Sequence, residues 1–444
     1  MKAKEIILLI FIIVAGVFFY YAQTGKLDIT TDFGDVFFWN LEEFTYEESQ
    51  LVEPPIPARL HIINAHGKIE IQGTEEEKIT IDFQEKIWRK NEEQAKEVSE
   101  KLKMVINKDE NLLRISTNRS EFRRKNFKTN FKIFIPQGME VEVENCYGFV
   151  NVSKTGKTKI NNRHGEIILS EIGGALNVKN SYEDVEIENV QSNCQVESKH
   201  STILVKNVMG EMKIIHRYGK IHLENVSKNV EIESPHTKIF GHGLRGAVEI
   251  QNSYEKITLY DVGKTKIQGH HSKVEVDGAN GDLKISNSYG NVKLKNIEGN
   301  LHIEGKSLNI SGSKIVGEEI YISSSYQDTE LTEFSAKTTI FVSHGDIVLK
   351  PLIINQPIQV KNEYGAIKFF WPKGEKNPFE ARANNGEIKW NLPVEISSWE
   401  ENHTSIVKAF LQETDKPSVF LSTSYNNIVI EEKSLGVKQE KAEI

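Results

Sequence analysis

The stretch "IIHRYGKIHLENV", residues 214–226, places His216, Arg217, Tyr218 and His222 within seven positions. Such a density of titratable side chains is what general acid–base chemistry uses. A second set is spread along the chain: His164, His200, His236, His271 and His344, imidazoles that could ligate a metal if the fold brought them together. A third is "TGKTKI" at 155–160 and "VGKTKI" at 262–267, each carrying the Gly-Lys-Thr of a phosphate-binding loop. Whether any of these is a site depends on the elements that position it.

Those elements are repeats. Aligned on the aromatic of "NCYG", Tyr147, His164, Tyr182, His200, Tyr218, His236, Tyr254, His271 and Tyr289 follow one another at intervals of 17 or 18 residues, with tyrosine and histidine alternating throughout. The series then loses one member before Tyr326, recovers at His344 and Tyr364, and ends near Asn385. "NAHG" at 64–67 is the same corner upstream, and Tyr425 in "STSYNN" is a candidate downstream. Apolar residues sit at fixed offsets: after Tyr218 they are Ile221, Leu223, Val226, Val230 and Ile232, and after Tyr182 they are Val185, Ile187, Val190, Cys194 and Val196. Each unit therefore reads as two short strands joined by a turn carrying Asn or Asp, as at Asn189, Asn207, Asn225, Asp261 and Asn296.

Two strands of this length form no core alone, but stacked at about 4.8 Å they cover one another. The expected fold is all-β, a parallel β-solenoid (β-helix) of about 18-residue two-strand units, with Tyr and His stacked along one corner. A 36-residue rung, with Tyr and His on separate corners, is the alternative. Glycine after the aromatic (Gly148, Gly165, Gly219, Gly290, Gly345, Gly365) would supply the positive φ of a tight corner. One helix is expected, over 91–105, where "NEEQAKEVSEKLKMV" places Ala95, Val98, Leu102 and Val105 near helical spacing.

Rung size bears directly on the chemistry. With 18-residue rungs, successive histidines lie about 9.6 Å apart, twice the strand spacing and too far for one ion. A phosphate loop needs a further glycine five residues before its Gly-Lys, and those positions are Asn151 and Thr258. Outward charges such as Glu183, Asp184, Glu186 and Glu188 are ordinary for the solvent face of a strand. Gly-x-Ser-x-Gly, His-Glu-x-x-His and Cys-x-x-Cys motifs are absent from the sequence. No catalytic residue, cofactor or metal ligand is assigned. The candidate surface is the corner itself, Tyr147, His164, Tyr182, His200, Tyr218, His236, Tyr254, His271 and Tyr289.

Composition narrows the function. The net charge is −8, from 55 Lys and Arg against 63 Asp and Glu, without the basic footprint of a nucleic-acid binder. Two cysteines, Cys146 and Cys194, make no disulfide scaffold, and Cys194 falls at a core position. Residues 6–22, "IILLIFIIVAGVFFYYA", form an apolar run of membrane-spanning length. Lys2 and Lys4 precede it and Asp28, Asp32 and Asp35 follow, so the N-terminus is expected in the cytoplasm and the bulk of the chain outside it. The expected organisation is a cytoplasmic tail (1–5), a transmembrane signal anchor (6–22), a juxtamembrane linker (23–56), an N-terminal β region with the short helix (57–140), the solenoid (141–392), and a C-terminal cap and tail (393–444).

"LHIINAHGKIEIQG", the intervening helix, and "FKIFIPQGMEVEVENCYGFVNV" leading into N-x-[YH]-G-x-[IV]-x-[LIV] repeats resemble the bacterial putative-adhesin family. These are membrane-associated domains of unknown function built from β-strand repeats. The resemblance covers roughly residues 57–392; it implies the fold and transfers no catalytic or binding residues. The function expected is a non-enzymatic, membrane-anchored surface for an envelope protein or polysaccharide, with the oligomeric state left open. The alternative is a carbohydrate-active enzyme whose site lies in the irregular segments 305–325 and 372–425, where Trp371, Trp390 and Trp399 would be sugar platforms or, more economically, an end cap.

Overall fold

The computed structural model describes residues 41–433 apart from 124, 411, 413 and 414. The tail (1–5), the apolar run (6–22) and most of the expected linker lie outside the described residues. Among those described, no helix is long and apolar enough to cross a membrane.

The rung is 18 residues. Thr202–Leu204 lies beside Lys220–His222, which lies beside Lys238–Phe240, each step in parallel register. The other strand of each unit follows suit, Met212 against Val230 and Val230 against Val248. Two parallel ladders thus face each other across a core of stacked Ile, Val and Leu. Ile221, Leu223, Val226, Val230 and Ile232 are at most 1% exposed, as the offsets required. Because each side chain sits on its counterpart in the next rung, an apolar residue at one offset is covered only if the neighbouring offset is apolar too, which is why the pattern is strict.

The Asn and Asp turn positions adopt left-handed backbone, φ +60° at Asn189, +58° at Asn207 and +57° at Asn225, a conformation Asn tolerates better than most residues. Their amides also chain from rung to rung: Asn207 Nδ2 donates to Asn189 Oδ1 at 2.9 Å and Asn225 Nδ2 to Asn207 Oδ1 at 3.1 Å.

At both ends the rungs depart from chain order. Strands Val419–Thr423 and Ile428–Lys433 insert between the rung of Ile358–Asn362 and Ile367–Pro372 and the rung of Phe379–Asn384 and Ile388–Asn391. The solenoid does not stop at 392 with a separate cap beyond it, because the last described strands form an interior rung. The N-terminal end mirrors this arrangement. Arg59–His66 and Ile69–Thr74 form a rung between Glu140–Tyr147 with Val150–Ser153 and Leu112–Thr117 with Phe127–Pro136.

Antiparallel strands close both ends. Ile79–Arg89 pairs with Phe127–Pro136 and then with Glu42–Val52, so part of the expected linker is an edge strand rather than an extended stalk. Thr404–Ala409 pairs with Phe379–Asn384 and then with Ser397–Glu401. The outermost strands carry Glu42, Glu43, Glu47 and Glu48 at one end and Glu400 and Glu401 at the other, charges that discourage edge-to-edge pairing.

The helix runs Glu92–Lys101, capped by Asn91, whose Oδ1 accepts from the Gln94 N–H at 3.0 Å. Ala95 and Leu102 join Ile87 and Phe127 in a small core at this end. The helix ends earlier than expected because Val105 belongs to strand Met104–Lys108, paired with Leu112–Thr117.

Candidate functional site

All nine corner residues named from the sequence stand in one column. From Tyr147 to Tyr289, successive rings stack at 4.7–5.7 Å between centroids with planes 4–15° apart. His66 extends the column below Tyr147, tilted, at 5.8 Å. The missing member is Ser307, paired with Tyr289 on one side and Tyr326 on the other. Above it, Tyr326, His344, Tyr364 and Tyr425 resume the stack at 4.6–5.1 Å.

Ring faces in this ladder are covered by neighbours, so edges meet solvent. Tyr182, Tyr218, Tyr254 and Tyr289 are exposed. Among the described residues, tyrosines of the ladder adjoin once, at Tyr364–Tyr425, and no two ladder histidines adjoin. Imidazolium rings on neighbouring rungs would stand about 4.8 Å apart, whereas alternation sets them about 9.6 Å apart, near the Debye length of physiological salt. The 36-residue rung is therefore excluded by register, and with it the metal-bridging geometry it would have allowed for His164, His200, His236, His271 and His344.

Beneath the ladder, two residues before most of the aromatics, runs a buried polar column. Asn145, Asn162, Asn180, Asn252, Asn287 and Asn362 donate side-chain N–H groups to backbone carbonyls at the corner, as Asn162 does to Gly148 O at 3.0 Å and Gly165 O at 3.1 Å. His216 occupies this column. It is 2% exposed, with Nε2 3.1 Å from Ser201 Oγ and Nδ1 3.0 Å from Thr237 Oγ1, and burial pushes its pKa down to about 4. It is a neutral structural residue, whereas His222 faces outward, 2.6 Å from Glu224 Oε1. The apparent cluster in 214–226 is thus divided among different layers.

Glycine after the aromatic serves two needs. Gly148 and Gly165 have φ of +128° and +152°, as expected. Gly345 and Gly365 are outside the positive-φ group, and their role is close approach: a Cβ would lie 1.7 Å from Gln327 O at the first and 1.9 Å from Gly345 O at the second.

The Gly-Lys-Thr segments are turns. Thr155 and Thr158 are buried and share a 2.7 Å hydroxyl hydrogen bond, and the Gly156 N–H donates to Met139 O in the next rung. Cys194 is buried, its thiol pushed up to about 12 by desolvation, while Cys146 is exposed. Trp371 is buried against Phe369 and Phe379, and its indole N–H donates to Glu375 O, so it packs the end of the core. Trp390 and Trp399 are exposed.

Two features were not visible in the one-dimensional pattern. His61, Glu142 and Glu144 bring ligand-type atoms within 4.8 Å of one another. They are engaged internally: His61 Nε2 lies 3.1 Å from Glu144, and Glu142 accepts from Lys159 at 2.7 Å, which holds its carboxyl below the usual range. The second is a shallow cleft of about 370 Å³ on the sheet face, over Leu204, His222 and Phe240 and beside Lys220 and Lys238. Its residues share columns only after stacking, so reading one unit at a time hides it.

Fold and ladder together define a two-ladder parallel β-solenoid with a stacked aromatic corner. Residues 247–431 match the family model described as Toastrack DUF4097, and the resemblance to β-strand-repeat domains of unknown function holds. A crystal structure of a putative cell adhesion protein from Clostridium sporogenes ATCC 15579 is similar at 11% identity and a TM-score of 0.17, covering 88% of this chain and 100% of that one. No curated protein matches.

Proposed function

We propose that this chain is a non-enzymatic rod, anchored in a membrane by residues 6–22 and displayed outside the cytoplasm, acting as an adhesin or envelope scaffold. The observation that carries the reading is the long stack of parallel rungs. It repeats outward positions once per rung along the rod and so offers a multivalent surface to an extended envelope partner, protein or polysaccharide. The charge flanking residues 6–22 supports the topology. Trp371, buried in the end core, lends no support to a catalytic groove in the C-terminal segments.

Cys146 gives a direct test of topology. It is exposed, while Cys194 is buried with its thiol held protonated, so a membrane-impermeant maleimide has one target. Labelling of the full chain in intact cells is the expected result, and labelling only after lysis would overturn the topology. Co-purification of the full chain with an envelope component tests the binding role, and recovery of the chain alone from envelope extract would count against it.

A further inference from the structure

Many outward lysines on this solenoid are neutralised by an acid on an adjoining rung, as in Lys159–Glu142 at 2.7 Å, Lys213–Glu231 at 2.7 Å and Lys266–Glu249 at 2.6 Å. One column gathers four lysines. Lys220, Lys238, Lys256 and Lys273 stand on four successive rungs, like charges at the strand spacing of about 4.8 Å. Glu275 serves the last two, 2.5 Å from Lys256 and 3.6 Å from Lys273. Among the described residues, Lys220 and Lys238 have no acidic partner. Where the rung of Lys273 supplies Glu275, their rungs supply His222 and Phe240, whose rings lie 4.4 Å apart. Together with Leu204 these rings floor the cleft that the two lysines flank; Asp184 and Glu186 line its far end, beyond Thr202 and Leu204, where Asp184 Oδ1 accepts from the Thr202 N–H at 2.7 Å.

We propose that this cleft binds a linear acidic polysaccharide, its carboxylates on Lys220 and Lys238 and the apolar faces of its sugar rings on Phe240 and Leu204. The inference rests on the display function proposed above and names its partner. Charge complementarity requires an anion, since two adjacent ammonium groups repel until one bridges them. The floor selects the polymer. A pyranose ring carries its carboxylate on the edge and C–H groups on its faces, which suits an apolar, partly aromatic floor beside ammonium groups. An extended acidic peptide has no such face, and it cannot pair with backbone here, because the strands beneath the cleft are hydrogen-bonded on both sides.

The test is titration of the full-length protein in neutral detergent micelles with a linear hexauronate, the neutral hexose hexamer of the same linkage, and a glutamate hexapeptide. Hexauronate should bind, weakening as salt rises, and both controls should bind at least tenfold more weakly. Lys220→Gln with Lys238→Gln should cost about tenfold in affinity, while Lys159→Gln on another face should cost nothing. Phe240→Ala should weaken binding without altering its salt dependence, and circular dichroism checks that each variant is folded. Unchanged binding by the lysine double variant, or a glutamate peptide that binds as tightly, would overturn the proposal. An envelope component that co-purifies with the full chain while hexauronate does not bind overturns this cleft alone. Failure of both experiments overturns the display function as well.

Discussion

Tyr364 stacks on Tyr425 at 5.1 Å with ring planes 7° apart, although the strands from Phe379 to Ala409 lie between them in sequence. The contact marks the place where the end of the described chain returns to become an interior rung. A chain ending at residue 417 should therefore lose more than a cap. Phe379–Asn384 and Ile388–Asn391 would be left without their parallel partner, and the core around Trp371 would open. The expected result is fast hydrogen exchange from about residue 358 onward with the central rungs still protected, since each rung depends on its neighbours. Full protection of residues 358–391 in the truncated chain would show that the returning rung is dispensable.

Tyr218 has both ring faces covered, by His200 and His236, each at 5.1 Å. Tyr218→Ala removes two stacked pairs worth about 0.5–1.5 kcal/mol each beyond their buried area, so a loss of roughly 1–3 kcal/mol is expected in chemical denaturation. Tyr218→Phe keeps the stack and should be nearly neutral. Equal losses for the two variants would place the stabilisation in the hydroxyl instead.

Glu85 is 5% exposed on the strand that faces the helix, and burial raises its pKa to about 7, with the Ser99 hydrogen bond opposing the rise. A carboxyl whose folded pKa is raised favours folding at acid pH, and that contribution is lost as pH climbs from 4.5 through 7. Glu85→Gln, which mimics the protonated acid, should stabilise the protein by roughly 1–3 kcal/mol at pH 8 and hardly at all at pH 4.5. Denaturant midpoints at the two pH values decide this, and an equal shift at both would remove the electrostatic explanation.

The repeating parts of the fold were legible because they are local. Tyr147 through Tyr289 declare the rung at 17 or 18 residues, and Ile221, Leu223 and Val226 declare which side faces in. The candidate corner was legible for the same reason, since stacking follows from register once the rung is known. What escaped was long-range. Nothing in Val419–Thr423 states that it pairs with Ile358–Asn362, because any rung of this chemistry fits against any other. Glu42–Val52 escaped because Phe44 and Tyr46 are only half-buried on an acidic edge, leaving a faint alternation before Pro54 and Pro55. The Lys220–Lys238 cleft escaped because it exists only between units.

His216 offers the sharpest test of the polar column. It sits where seven other rungs place asparagine, neutral and buried, with its pKa pushed down to about 4 by desolvation. The unfolded chain, with an ordinary histidine pKa of about 6.5, takes up the proton first. The stability that follows from keeping His216 neutral is therefore complete above pH 6.5 and is lost progressively as pH falls to 4, by roughly 1–3 kcal/mol in total. His216→Asn introduces the residue that this column uses in most of its rungs, although the two adjoining corners carry Ser198 and Ser234, and it has no proton to gain in this range. It should unfold with a flatter dependence on pH between 6.5 and 4, measured as the denaturant midpoint against the parent at half-unit steps. Ser201 and Thr237 are the controls, since each hydroxyl meets one ring nitrogen: Thr237→Val should lower stability at pH 7 yet leave the acid limb in place. An unaltered acid limb in His216→Asn would assign the pH dependence to other groups and leave His216 as a packing residue alone.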